Sequence, residues 1–273
     1  MKTIVITTLV CMIALAGVFP SASAQAASGA TPSANLSSAQ GLASEGDNTP
    51  LEPLRFVVGH HPPYSNQEQT GIIDRVLIET FKRAGIPLTL RKAPLGRAGN
   101  LVNSGVEDGC GPRIAEFSAH FPNLVRVEEP AITFEMVAYT KQPDIRDFAG
   151  DNQAGYTVGH VFGAIMLDQI VKGYSKTTVK LRNPRQVLQL LEQDRIDIAI
   201  AERWTGLEIL KSLGLKNVRM LPTPLERKPA YFYLHRDYAH LAPRIAKALR
   251  SVKADGTYAK IMNQSLSALR TGL

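Results

Sequence analysis

Two long β-rich runs, AITFEMVAYTKQP from Ala131 and KPAYFYLHRDY from Lys228, lie about ninety residues apart and divide the pattern of the chain. Around them, short apolar segments alternate with segments whose apolar residues recur at helical spacing. Strand–helix–strand alternation builds parallel sheets with right-handed crossovers. Two such regions joined by two extended passages predict a pair of α/β lobes with a cleft between them.

In the first region, Leu54–Gly59 reads as a short buried strand, and IIDRVLIETFKRAG puts Ile73, Val76, Leu77, Thr80, Phe81 and Ala84 on one helical face, with Gly85 as its stop. IPLTLRKAP completes a βαβ unit, LGRAGNLVNSG supplies a shorter helix, and VEDGCGPR a short strand and tight turn. In the second region, YTVGHVFGAIMLDQIVKGY reads as strand, Gly-punctuated turn and helix, with Phe162, Ile165, Met166, Gln169 and Ile170 as its stripe. NPRQVLQLLEQDR is a helix capped by Asn183 with Pro184 at its first position, and IDIAIAE is a strand apolar enough for burial on both faces. WTGLEILKSLG is helical and NVRML a strand; LAPRIAKALRSVKADG and TYAKIMNQSLSALR close the chain as helices. The expected lobes are 54–138 with 230–273, and 139–229.

The N-terminus predicts export. A basic Met1-Lys2 start, an uncharged apolar run and Ala22-Ser23-Ala24 form a signal peptide over residues 1–24 with cleavage after Ala24, the alternative being a retained membrane anchor. Residues 25–53, rich in Ala, Ser, Gly and Pro and without an aromatic residue, predict a flexible tether. The expected location is the periplasm. Of the two cysteines, Cys11 leaves with the signal and Cys110 is left without an internal disulfide partner. The formal charge of +7 falls to +6 on loss of Lys2, a balance that favours acidic ligands or partners. With no Lys/Arg block interleaved with aromatics, nucleic acid is not an expected partner.

In order, an opening strand into HHPPYS, Gly71 with its helix, SGVEDG, RQVLQLLEQDRIDIAIAE and LAPRIAKALRSVKADGTYAKI resemble the bacterial extracellular solute-binding proteins of family 3, over Leu54 to Gln264. The resemblance implies the two-lobed type II periplasmic-binding-protein fold, with mainly parallel sheets flanked by helices and two hinge-crossing segments. It implies a monomer without cofactor or catalytic residues that captures a small polar, amino-acid-like metabolite, anionic or zwitterionic, for the permease of an ABC importer. Alternatives on the same fold are a sensing module for a signalling receptor and a small-molecule lyase or dehydratase. Amino-acid binders of the family carry a Thr-x-x-Arg stretch whose arginine grips the ligand carboxylate. Here Asp108 is followed by GCGPRIAEFSAHFPNLVRVEEP, with no such stretch, which marks a divergent branch.

Ligands in open α/β sheets settle beyond the carboxyl ends of the strands. That places His61 and Tyr64 of HHPPYS at the expected cleft, with a rigid surface loop as the alternative. His60 and His61 point to opposite faces of an extended segment, and no H-E-x-x-H or Cys cluster accompanies them, so no metal is expected. Arg113, after a Gly-rich turn, offers a planar fork suited to a carboxylate. Arg97 is a second candidate near the same edge, and either arginine reads also as a surface cation. In the second lobe, the turn VGHVFGAI suggests His160 or Phe162 as cleft residues, with plain helix capping as the alternative. Glu202 ends the strand IDIAIAE, where the resemblance places a carboxylate for a ligand's ammonium group; pairing with Arg203 or a lysine is its alternative. Trp204, the sole tryptophan, follows. Cys110 beside Asp108 has no local signature of a cysteine nucleophile.

Overall fold

The computed structural model describes residues 52–59, 61–148, 155–162, 165–172 and 177–270. The signal peptide, all of the tether but its last two residues, and His60 lie outside them. No helix among the described residues is long and apolar enough to cross a membrane.

The first βαβ unit comprises β1 (Leu54–Val58), α1 (Ile72–Ala84) and β2 (Leu88–Lys92). After α2 (Leu95–Asn103) and β3 (Gly109–Ile114), a 3₁₀ turn over Ala115–His120 leads into β4 (Leu124–Thr140). The second region holds β5 (Thr157–Val161), α3 (Ile165–Lys172), β6 (Thr177–Leu181), α4 (Pro184–Glu192), β7 (Ile198–Glu202), α5 (Arg203–Leu213) and β8 (Arg219–Met220). The chain returns along β9 (Glu226–His235) to α6 (Ala242–Ala254) and α7 (Thr257–Arg270).

The strand order is β2-β1-β3-β9-β4-β7-β5-β6, with β8 on β4. Two three-stranded parallel groups, β2-β1-β3 and β7-β5-β6, lie at the ends of this order. The antiparallel pair β9–β4 joins them. The sequence predicts two separate sheets, and this is corrected: both long runs stay extended, so hydrogen bonding continues from one group to the other. β4 also begins at Leu124, earlier than the run from Ala131. Its register against β9 shifts on both sides of Pro130, a residue with no N–H to give the ladder.

Side-chain alternation builds the layers. Leu54, Phe56 and Val58 of β1 face the core under α1 and α6, while Val57 faces the opposite core with Ala98 and Val102 of α2. In β7, Ile198 and Ile200 pack with Met166, Leu167 and Ile170 of α3, whereas Ala199 and Ala201 meet Val187, Leu188 and Leu210 of α4 and α5. Each parallel group is therefore covered on both faces, as its apolar strands require. β4 serves both ends, giving Val127, Ala131 and Ile132 to the first core and Met136–Tyr139 to those of the second region.

Candidate functional site

The tips of β1, β3 and β7 face a cavity of about 540 Å³. From the first region it is lined by Val58, Gly59, His61, Tyr64 and Ser65, by Gly111–Ile114 of β3, and by Phe117, His120 and Phe121. From β4 and the second region come Phe134, Met166, Glu202 and Thr205. The volume lies in the range of small-molecule sites, and such sites are mostly apolar with a few placed polar groups.

The loop after β1 is pinned from beneath. Tyr64 and Ser65 donate their N–H groups to the His61 carbonyl at 2.8 and 3.0 Å. Asp74 on α1, fully buried, accepts from the Ser65 hydroxyl at 2.8 Å, from the Asn66 N–H at 3.1 Å and from Lys92 Nζ at 2.5 Å. Lys92 also donates to Ser65 Oγ at 2.5 Å. Because the Asp74 charge is matched by Lys92, this network holds the loop in place.

Tyr64 is thereby aimed across the cleft. Its ring lies edge-on to Phe134 at 5.6 Å, and its hydroxyl donates to Glu202 Oε1 at 2.6 Å. Glu202 is also the N-cap of α5, its Oε2 accepting the Thr205 N–H at 2.9 Å. Burial pushes the Glu202 carboxyl up to about 7, against the opposing pull of the Tyr64 and Thr205 hydrogen bonds. The neighbouring Arg203 turns away and pairs with Glu135 at 2.6 Å, so Glu202 is not tied to it.

On the opposite wall, Gly111 has φ +148°, and a Cβ there would stand 2.9 Å from the Tyr231 carbonyl. A residue with a side chain would be strained at this bend, which directs Arg113 into the wall. Arg113 is buried, donates from Nη1 to the Pro112 carbonyl at 2.9 Å, and stands 5.2 Å from the Phe117 ring centroid. Burial lowers its pKa. Phe117 and Phe121 lie tilted at 47° with centroids 4.7 Å apart and extend the aromatic wall. Cys110, one turn of the pleat behind, is buried with its thiol pushed up to about 11, which keeps it protonated and unreactive.

His61, Tyr64, Arg113 and Glu202 thus share the cavity, and the other four candidates do not line it. Arg97 is exposed on the first turn of α2, where only Gly96 reaches the lining. His160 is fully buried; two residues from Val158 on β5, it shares that residue's face and points into the core. Its Nδ1 lies 3.2 Å from the Val161 carbonyl, its Nε2 has no partner, and burial lowers its pKa. Phe162 precedes α3 and is 72% exposed. Trp204 faces away from the cleft, packed against two cores with the Arg270 guanidinium 5.7 Å from its ring. Sequence reasoning missed the ring-lined wall: Phe117, Phe121, Phe134, Met166 and His120. The one signal available was the four-residue spacing of Phe117 and Phe121 just after a strand tip. Among the described residues no three His, Cys, Asp or Glu side chains gather as a metal-holding group.

No family model matches the chain. An uncharacterized protein of Shewanella oneidensis is 26% identical over 196 residues, covering 70% of this chain and 74% of that protein. The L-cystine-binding protein TcyA of Bacillus subtilis is 33% identical over 76 residues, 28% of each chain. Among solved structures, the GluR0 ligand-binding core with L-glutamate superposes with TM-score 0.69 at 15% identity, over 79% of this chain and 98% of that one. A histidine kinase sensor domain similar to periplasmic binding proteins gives 0.67 at 17%, over 80% and 97%. A structure described with glutathione import by GshT and the cystine ABC importer TcyBC of Streptococcus mutans gives 0.66 at 18%, over 80% and 95%. With its two parallel groups bridged by β4 and β9, the chain has the two-lobed fold of the periplasmic binding proteins.

Proposed function

We propose that this chain is an exported solute-binding protein. Its lobes, 54–138 with 230–273 and 139–229, close over a small anionic or zwitterionic metabolite, which is then delivered to the permease of an ABC importer. The observation that carries this reading is the cavity of about 540 Å³ walled from both regions and spanned by the Tyr64–Glu202 hydrogen bond. A ligand that touches Arg113 on one wall and Thr205 or Met166 on the other gains its full contacts only when the walls are close, so binding shifts an open–closed equilibrium. The signal-like N-terminus supports export, and the likeness to the GshT structure supports transport.

The likeness to a histidine kinase sensor domain favours a second reading, in which the closed form is read by a signalling receptor. Mass spectrometry of small molecules released from natively purified protein, followed by thermal shifts with the molecule found, tests the binding role. A stabilisation that rises with ligand concentration is expected. Protein that carries and binds no small molecule overturns it. Uptake of the labelled molecule then separates the readings: uptake lost in a deletion strain supports transport, and intact uptake with a lost transcriptional response supports sensing. Product formed from the bound molecule would instead favour a lyase.

A further inference from the structure

The hydrogen bond that spans the cleft is made by the chain itself, and each of its ends is fixed from its own side. Tyr64 gives its N–H to the His61 carbonyl, and its own carbonyl accepts the Ile73 N–H, both at 2.8 Å. Gly71 crowds that carbonyl so closely that a Cβ there would stand 2.4 Å from it. The Tyr64 side chain is buried, with its ring against Phe134. Burial, with the Glu202 charge adding to it, raises the Tyr64 hydroxyl well above its ordinary range, so it stays protonated and donates.

Glu202 ends β7 and caps α5, with Oε2 on the Thr205 N–H at 2.9 Å. The start of α5 is held in turn by Tyr139 of β4, whose hydroxyl donates to the Arg203 carbonyl at 2.7 Å. Trp204, next in the chain, packs against cores of both regions. The 2.6 Å bond thus joins two groups already in place, so forming it costs little side-chain freedom, and burial strengthens it. Lys228 also ties the regions through Glu116, but the Glu116 side chain is 43% exposed, where an ion pair contributes little. Each oxygen of Glu202 already accepts a donor from the chain, so the acid is engaged before a ligand reaches it.

We propose that Tyr64 and Glu202 form a latch built into the chain: their hydrogen bond sets how far the two lobes stand closed, and Glu202 is a positioning residue rather than a grip for a ligand's ammonium group. This rests on the closing motion of the binding role above. The test is the distance between spin labels at Lys82→Cys on α1 and Gln189→Cys on α4, both exposed, measured by double electron–electron resonance. It uses the full exported chain, unfolded and refolded to strip carried molecules. Tyr64→Phe is expected to lower the ratio of closed to open distances about fivefold or more, the worth of one buried hydrogen bond. Glu202→Ala is expected to open the chain at least as far, and adding Tyr64→Phe to it to change nothing more. Glu202→Gln, which still offers an amide to the Tyr64 hydroxyl, is expected to fall between the parent and Glu202→Ala. Should one single variant fail to fold, the other still decides. Unmoved distances in the single variants overturn the latch, as does Tyr64→Phe opening the Glu202→Ala chain as much as the parent. The binding role is then judged separately by the co-purifying metabolite.

Discussion

Replacing Tyr64 by Phe keeps the ring against Phe134 and removes only the hydroxyl that donates to Glu202 at 2.6 Å. What that hydroxyl contributes depends on the charge of its partner. In the parent, the Glu202 carboxyl moves from an ordinary 4.5 to about 7 on folding, because burial disfavours its charged form. The native state therefore holds a proton that the unfolded state has released across this interval. Stability from this group is fully present below 4.5 and is lost as pH rises through about 7. At ~1.36 kcal/mol per pKa unit, the interval is worth ~3 kcal/mol. The Tyr64 bond opposes this loss by favouring the carboxylate, so without it the Glu202 pKa rises further and the decline extends to higher pH. A bond to the neutral acid contributes about 1 kcal/mol and one to the carboxylate ~1.5–3 kcal/mol. Tyr64→Phe is thus expected to cost about 1 kcal/mol at pH 5 and ~2–3 kcal/mol at pH 8.5. Urea unfolding at both pH values, followed by Trp204 fluorescence and far-UV circular dichroism, measures the difference. An equal cost at the two pH values, or a greater one at pH 5, would refute the coupling of Tyr64 to an ionisable Glu202.

Asp74→Ala strands the Lys92 ammonium beneath the Tyr64 loop and should lower unfolding stability by ~3–5 kcal/mol, with Asp74→Asn milder; a loss under ~1 kcal/mol would mean the buried pair does not hold the loop. A Cβ at Gly206 would stand 2.2 Å from the Tyr139 hydroxyl, so Gly206→Ala should cost ~1–3 kcal/mol. Adding Tyr139→Phe should recover part of that cost, and strictly additive effects in the double-mutant cycle would count against the clash. The Cys110 thiol, buried and pushed up to about 11, should react with a disulfide reagent at pH 8 far more slowly in the native protein than in urea. Native labelling at the rate of an exposed thiol would place Cys110 elsewhere.

The backbone periodicities were legible because they report directly which face of an element meets a core. IDIAIAE reads as a strand buried on both faces, and β7 does split its side chains between two cores. The helical stripe from Ile73 to Ala84 is likewise the buried face of α1. Where a local signal competed with tertiary pairing, the reading stopped short. The β-rich run reads from Ala131, yet β9 pairs with β4 from Leu124 to Met136, with register shifts on both sides of Pro130. The expectation of two separate sheets failed for the same reason, since no residue pattern marks where an extended run passes from one set of partners to another.

The candidate site divides along the same line. His61, Tyr64, Arg113 and Glu202 sit at or just past strand ends, so strand periodicity alone brings them to one edge, and all four line the cavity. His160 is one residue short of the end of β5, and the pleat turns it into the core, while Trp204 sits past β7 on the side of α5 that meets α7. The aromatic wall obeys no periodicity at all. Phe117 and Phe121 reach the cavity because a 3₁₀ turn folds AEFSAHF back against β3, and Phe134 because β4 crosses the cleft there. Strand tips bring the candidate residues to one edge, whereas the irregular turn beside them sets the apolar character of the adjoining wall. A change confined to Ala115–Phe121 should therefore alter what is bound without altering the fold. Replacing Phe117 and Phe121 together by Leu is expected to weaken the co-purifying ligand severalfold while costing about 1–2 kcal/mol of stability, as large-to-small core changes do. Unchanged affinity would remove the rings from recognition and return them to packing.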